Sequence, residues 1–161
     1  DTTTRPAAPV FVQDGRQVHK GLEFTASGRA MAGLTLWGGV TLLDAKVTKQ
    51  SANRALQGKT PANVAETQAK LYAEYDIGAL PGLTLTGGVL YTGKQQRDAL
   101  NTQQLPAYTL LDAGLRYALQ MGGKHVTWRL SVANLTDKQY WLNGTYLGRP
   151  RTVSVSAQVD L

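Results

Sequence analysis

Bulky apolar residues recur at every second position through seven stretches of this chain, with small or polar residues between them. In HVTWRLSVANLTDKQYW, residues 125–141, Val126, Trp128, Leu130 and Val132 alternate with Thr127, Arg129 and Ser131, and the alternation stops at Asn134. In GLEFTASGRA, Leu22, Phe24, Ala26 and Gly28 oppose Glu23, Thr25, Ser27 and Arg29. In GLTLWGGVTL, Leu34, Leu36, Val40 and Leu42 oppose Thr35, Gly39 and Thr41, with Trp37 on the polar side. QAKLYAEYDI sets Leu71, Ala73, Tyr75 and Ile77 against Lys70, Tyr72, Glu74 and Asp76, and GLTLTGGVLY sets Leu83, Leu85, Val89 and Tyr91 against Thr84, Thr86 and Gly88. YTLLDAGLRYAL and RTVSVSAQVDL repeat the pattern, with Leu115 and Val155 on their apolar sides. A period of two belongs to a strand with one apolar and one polar face. A weaker strand around PVFVQ precedes an Asp14-Gly15 hairpin signal.

The connections alternate in length. Short ones are Asp14-Gly15, AMAG (30–33), ALPG (79–82) and QMGGK (120–124); long ones run roughly over 47–64, 95–106 and 136–150. The expected fold is therefore all-β: an antiparallel meander of about eight strands, with tight turns at one end and long loops at the other. No stretch has a convincing helical period.

Periodicity does not say which face is wet. A soluble sandwich or barrel turns its apolar side inward, whereas a membrane barrel turns it to lipid. Three features favour lipid. The strands reach about 10 residues, the length that crosses a bilayer at a tilt. The polar faces carry charges at mid-strand, read as the pairs Lys70 with Glu74 and Asp112 with Arg116. Tyr75, Tyr117 and Trp128 lie on apolar faces close to short turns, as an interfacial girdle requires.

Composition narrows the chemistry. The chain has 161 residues, a net charge of +6 and no Cys, so disulfides and thiolate metal sites are excluded. No apolar run approaches the roughly 20 residues of a membrane helix. His19 and His125 stand alone, no nucleophile-elbow or His-pair metal spacing occurs, and Glu23, Glu74, Asp76 and Asp112 are read as lumen hydrogen-bonding groups. The expectation is no enzyme, no catalytic residue and no metal site. Basic residues gather at the long-loop end: Lys46, Lys49, Arg54 and Lys59 with no acid over 46–63, then Lys138, Arg149 and Arg151 against Asp137. Such a field draws an anionic ligand or the phosphates of lipopolysaccharide. The basic residues are neither on one helix nor interleaved with stacking aromatics, so nucleic acid is not the expected partner.

Three pieces near the C-terminus carry a resemblance: LPAYTLLDAGLRY (105–117), VANLTDKQYW (132–141) and GRPRTVSVSAQVDL (148–161). Together, in this order, they resemble the end of a TonB-dependent siderophore receptor. The family's Pro-x-Tyr-x-Leu-x-Asp strand corresponds to Pro106, Tyr108, Leu110 and Asp112. Its Asn-Leu-x-Asp-Lys-x-Tyr corner corresponds to Asn134, Leu135, Asp137, Lys138 and Tyr140, and its Gly-x-Pro-Arg strand entry to Gly148, Pro150 and Arg151. These motif residues are read as shaping the barrel rim. GLEFTASGRAMAGLTLWGGVTLLDAKVT (21–48) resembles a preceding strand–turn–strand of that family. Two departures stand out: Leu161 ends the chain where an aromatic residue is usual, and Thr136 stands where Phe is common.

The resemblance implies a bacterial outer-membrane barrel of about 22 strands around an N-terminal plug, with long loops extracellular and short turns periplasmic. Residues 1–161 are then read as the C-terminal part of the barrel, without the plug. It implies uptake of a ferric siderophore energised through TonB acting on the plug, with iron present only as the chelate and no cofactor. Loop residues suited to a flat anionic chelate are Arg97, Tyr108, Trp141 and Tyr146. Two other readings fit the periodicity: a self-contained eight-stranded outer-membrane barrel with a structural or adhesive role, and a soluble β-barrel holding a small apolar ligand.

Overall fold

A computed structural model describes residues 15–160. The expected strand around PVFVQ, Asp14 of the hairpin signal and Leu161 lie outside the described residues. The elements are β1 (Arg16–Met31), β2 (Leu34–Lys49), a 3₁₀ turn (Arg54–Leu56), β3 (Thr67–Asp76), β4 (Leu83–Thr92), β5 (Gln95–Gln96), β6 (Gln104–Leu105), β7 (Tyr108–Met121), β8 (Lys124–Ala133) and β9 (Thr152–Asp160). The seven long strands form one antiparallel sheet in the order β1-β2-β3-β4-β7-β8-β9, and β5 and β6 pair with each other inside a loop. The meander and its alternation of short turns with long loops are therefore present. β1 and β2 outrun the expected segments because both continue towards the loop end, to Arg16 and Lys49.

Register converts the alternation of each strand into two continuous faces. Leu34, Tyr75, Leu85, Leu115, Leu130 and Val155 lie side by side across the sheet. One residue along lies the row Thr35, Glu74, Thr86, Gly114, Ser131 and Ser154 on the opposite face. A slip of one residue on any strand would put small or polar residues, and on β3, β7 and β8 charged ones, into the apolar row, so the pattern itself fixes the register.

The sheet is a single layer. Among the described residues no large side chain is fully buried, and Leu71, Leu130 and Val155 are 48%, 36% and 68% exposed. An apolar face of this extent is rare on a water-soluble monomer, and among the described residues no second layer covers it, which disfavours the soluble apolar-core barrel. β1 and β9 are the two edges of the described sheet, which is an open arc and not a closed eight-stranded barrel. Leu83, Tyr117 and Trp128 form one apolar-face row beside the short turns, and Phe24, Val40 and Tyr91 form another towards the loops. The nine residues from Leu83 to Tyr91 run about 26 Å along the strand, enough at a barrel tilt to cross most of an apolar band ~25 Å tall.

On the polar face the ion pairs differ from those expected. Arg116 Nη2 lies 3.4 Å from Glu74 Oε2 and donates to Thr84 Oγ1 at 3.3 Å, while Thr84 Oγ1 donates to Asp76 Oδ1 at 2.7 Å. Asp112 accepts from the Asn134 backbone at 2.8 Å instead of meeting Arg116. The physical reason is distance: residues four apart on one strand are about 13 Å apart, so partners come from neighbouring strands. Trp37 and Tyr72 also face this side, ring centroids 5.7 Å apart.

Candidate functional site

The three long connections, residues 50–66, 93–107 and 134–151, meet above one end of the sheet. Asn134 sets the last of them in place. It is 4% exposed and has φ of +52°, which Asn tolerates better than most residues. Its Nδ2 donates to the carbonyls of Lys138 and Arg149 at 3.0 and 3.1 Å, and its Oδ1 accepts from Lys138 N at 2.8 Å. Leu135 N donates to Leu111 O at 2.7 Å, and Asp137 Oδ1 accepts from Arg151 N at 2.9 Å. The chain thus leaves β8, reverses through Asn134–Lys138 and is tied at Arg149–Arg151 to the entry of β9, where Pro150 O accepts from Thr152 Oγ1 at 3.0 Å.

Tyr140 and Gly148 close the base of this loop. Gly148 N donates to Tyr140 O at 2.8 Å. The Tyr140 ring lies where a Cβ on residue 148 would stand, so only glycine fits there. The ring also packs against that of Tyr108, centroids 4.3 Å apart. Tyr108 is 8% exposed, at the start of β7. It follows Pro106 after β6 and packs against the corner.

Above that base stands the hairpin 141–147. Trp141 and Leu147 pair as a β-bridge, Leu142 N donates to Tyr146 O at 2.9 Å, and Asn143 Oδ1 accepts from the backbone N–H groups of Thr145 and Tyr146, each at 2.9 Å. Tyr146 is 66% exposed at its tip. The Arg97 guanidinium lies 5.9 Å from the Trp141 ring centroid and donates through Nε to Gly144 O at 3.3 Å and through Nη1 to Gln103 Oε1 at 3.0 Å. The fold therefore brings Arg97, Trp141 and Tyr146 to one hairpin and leaves Tyr108 beneath it.

The middle loop is organised by a carboxylate. Asp98 accepts from the backbone N–H groups of Leu100, Thr102 and Gln103 and from the Thr102 hydroxyl, at 2.8–3.2 Å. Desolvation pushes its carboxyl up, but the hydrogen bonds from Thr102 and Gln103, then Leu100, outweigh that and hold it below the usual carboxylate range. Asn101 bonds Thr60 of the first loop twice: its Oδ1 accepts from Thr60 N at 2.9 Å and its Nδ2 donates to Thr60 O at 2.8 Å. Asn63, Asn101 and Gly144, which tie the loops together, and Asp98, which orders the middle one, carry no sequence signal beyond being turn-forming types. Among the expected cations, Lys46 and Lys49 belong to β2, and Lys46 Nζ lies 3.7 Å from Asp44 Oδ1, so the positive field is smaller than a count over 46–63 implies. Among the described residues no group of three His, Asp or Glu could hold a metal ion.

A two-faced antiparallel arc, apolar on one side and hydrogen-bonded and charged on the other, with long interlocked loops at one end, defines the wall of a transmembrane β-barrel. The family described as TonB dependent receptor-like, beta-barrel matches residues 1–135, and the chain belongs to that family. The ferrichrome receptor FcuA of Yersinia enterocolitica is 37% identical over 161 residues, covering 96% of this chain and 21% of its own. The ferrichrome outer membrane transporter/phage receptor of Escherichia coli (strain K12) is 33% identical, covering 94% and 21%. The crystal structure of BauA, the ferric preacinetobactin receptor of Acinetobacter baumannii, superposes with a TM-score of 0.84 at 40% identity, over 92% of this chain and 23% of that one. The chain spans about a fifth of the length of the curated relatives it matches. Membership places it in an outer-membrane β-barrel, and these relatives are named as receptors and a transporter.

Proposed function

We propose that this chain forms loop-bearing barrel wall in a receptor that takes up a ferric siderophore across the bacterial outer membrane, energised through TonB. The convergence of three long loops on one hairpin carries the reading: it presents Trp141 and exposed Tyr146 with the Arg97 charge directly behind. Aromatic faces backed by a cation suit a bulky, anionic metal chelate, and relatives are named for ferrichrome and ferrioxamine B. The chelate is substrate, not cofactor. The long loops face outside and the short turns the periplasm, TonB acts on a plug that lies outside these 161 residues, and lipid covers the apolar face. Lys20 and Lys46 continue that face beyond Leu22 and Leu42, where lipopolysaccharide phosphates lie. Asn134, Asp137, Tyr140, Gly148 and their motif neighbours shape the rim and do not touch the chelate.

The test is direct binding. In the complete receptor, Trp141→Ala and Tyr146→Ala should each weaken ferrichrome or ferrioxamine B binding about tenfold, the loss typical of one good aromatic contact. Wild-type affinity in both variants would remove the hairpin from the ligand site.

A further inference from the structure

One residue, Asn63, touches both of the other loops. Its φ is +60°. Its backbone N–H donates to Gln96 O in the second loop at 2.8 Å, and its side-chain Oδ1 accepts from Gly144 N in the third at 2.8 Å. Gly144 is held from the other side by Arg97, whose Nε donates to Gly144 O at 3.3 Å. The approach is close enough that a Cβ on residue 144 would sit 3.0 Å from Arg97 O. Both peptide groups at the hairpin tip are thus fixed by other loops, one through Asn63 and one through Arg97.

We infer that Asn63 is a positioning residue for ligand recognition: its side chain clasps Gly144 and holds the 141–147 hairpin in the conformation that receives the chelate. This deepens the function proposed above and rests on it. An unclasped hairpin samples other conformations, and ligand binding must then supply the ordering. The clasp keeps Trp141 against Arg97 before ligand arrives, so the three loops respond to it as one body. Asn63 itself touches no chelate.

The discriminating variant is Asn63→Gly in the complete receptor. Glycine accepts a φ of +60° without strain, so the change removes the acceptor and leaves the backbone conformation accessible. With ferrichrome and ferrioxamine B as probes, affinity should fall about tenfold, the order expected when a preorganised loop is released. Asn63→Asp, which keeps an acceptor for Gly144 N, should restore it. Hydrogen exchange at the Gly144 amide should accelerate while the amides of β7 and β8 keep wild-type protection. In a double-mutant cycle, adding Asn63→Gly to Trp141→Ala should weaken binding little further, because both act through one hairpin. Wild-type affinity and wild-type Gly144 exchange in Asn63→Gly would overturn the clasp, and so would losses that multiply in the double variant. If the unmodified receptor bound neither chelate, the siderophore reading would fall, while the exchange measurement would still decide whether Asn63 fixes the hairpin.

Discussion

Leu36→Arg is expected to destabilise the barrel by about 2–4 kcal/mol, the cost of an arginine on the lipid face near the bilayer midplane. Leu36 lies in the row Gly28, Leu36, Ala73, Gly87, Ala113, Val132 and Val153. That row is midway between the Tyr117–Trp128 row near the turns and the Phe24–Tyr91 row towards the loops. Ser131→Arg provides the contrast. Ser131 is one residue from Val132 but on the opposite face, beside Gly114 and Ser154. An arginine there meets polar neighbours and should change stability by less than about 0.5 kcal/mol. Urea unfolding of the complete receptor in lipid vesicles, followed by tryptophan emission, reads both. Equal costs at the two positions would contradict the assignment of faces.

Asn134→Ala should cost about 3 kcal/mol in the same measurement. The substitution strands two carbonyls and one N–H that Asn134 satisfies beside a corner where it is 4% exposed. A buried group left without its partner costs about 1–3 kcal/mol, and alanine at positive φ adds about 1 kcal/mol. Asn134→Gly separates the two contributions, since glycine removes the backbone penalty and keeps the lost hydrogen bonds. It should recover roughly 1 kcal/mol of the loss. A loss under about 0.5 kcal/mol for Asn134→Ala, the size of an ordinary surface change, would mean that the corner does not depend on this side chain.

The strands were legible because side-chain parity is local: Trp128, Leu130 and Val132 declare their face without knowledge of any neighbour. The start of β1 was not, because Arg16–Lys20 holds a single apolar residue, Val18, and joins the sheet only through its pairing with β2. The polar-face contacts required register. Arg116 finds Glu74 because β3 and β7 both flank β4, and spacing along one strand pointed to the wrong partner. The corner motif was visible as Asn134–Leu135 followed by Asp137–Lys138, residue types that bond nearby backbone. The loop junction was half visible: Trp141 and Arg97 stood out as aromatic and cationic, but their meeting depends on Asn63 and Gly144, 81 residues apart in the chain. The contact of Tyr108 with Tyr140 was not legible, because it joins residues 32 apart in the chain.

The assignment of faces is tested most directly on β8. Single spin labels at residues 127 to 132 of the complete receptor in lipid vesicles report collisions with oxygen, which concentrates in hydrocarbon, and with a water-soluble nickel chelate. Labels at Trp128, Leu130 and Val132 should show high oxygen and low nickel accessibility, and labels at Thr127, Arg129 and Ser131 lower oxygen accessibility, alternating residue by residue. Oxygen maxima at Thr127, Arg129 and Ser131, or no alternation along β8, would contradict a lipid-facing apolar wall.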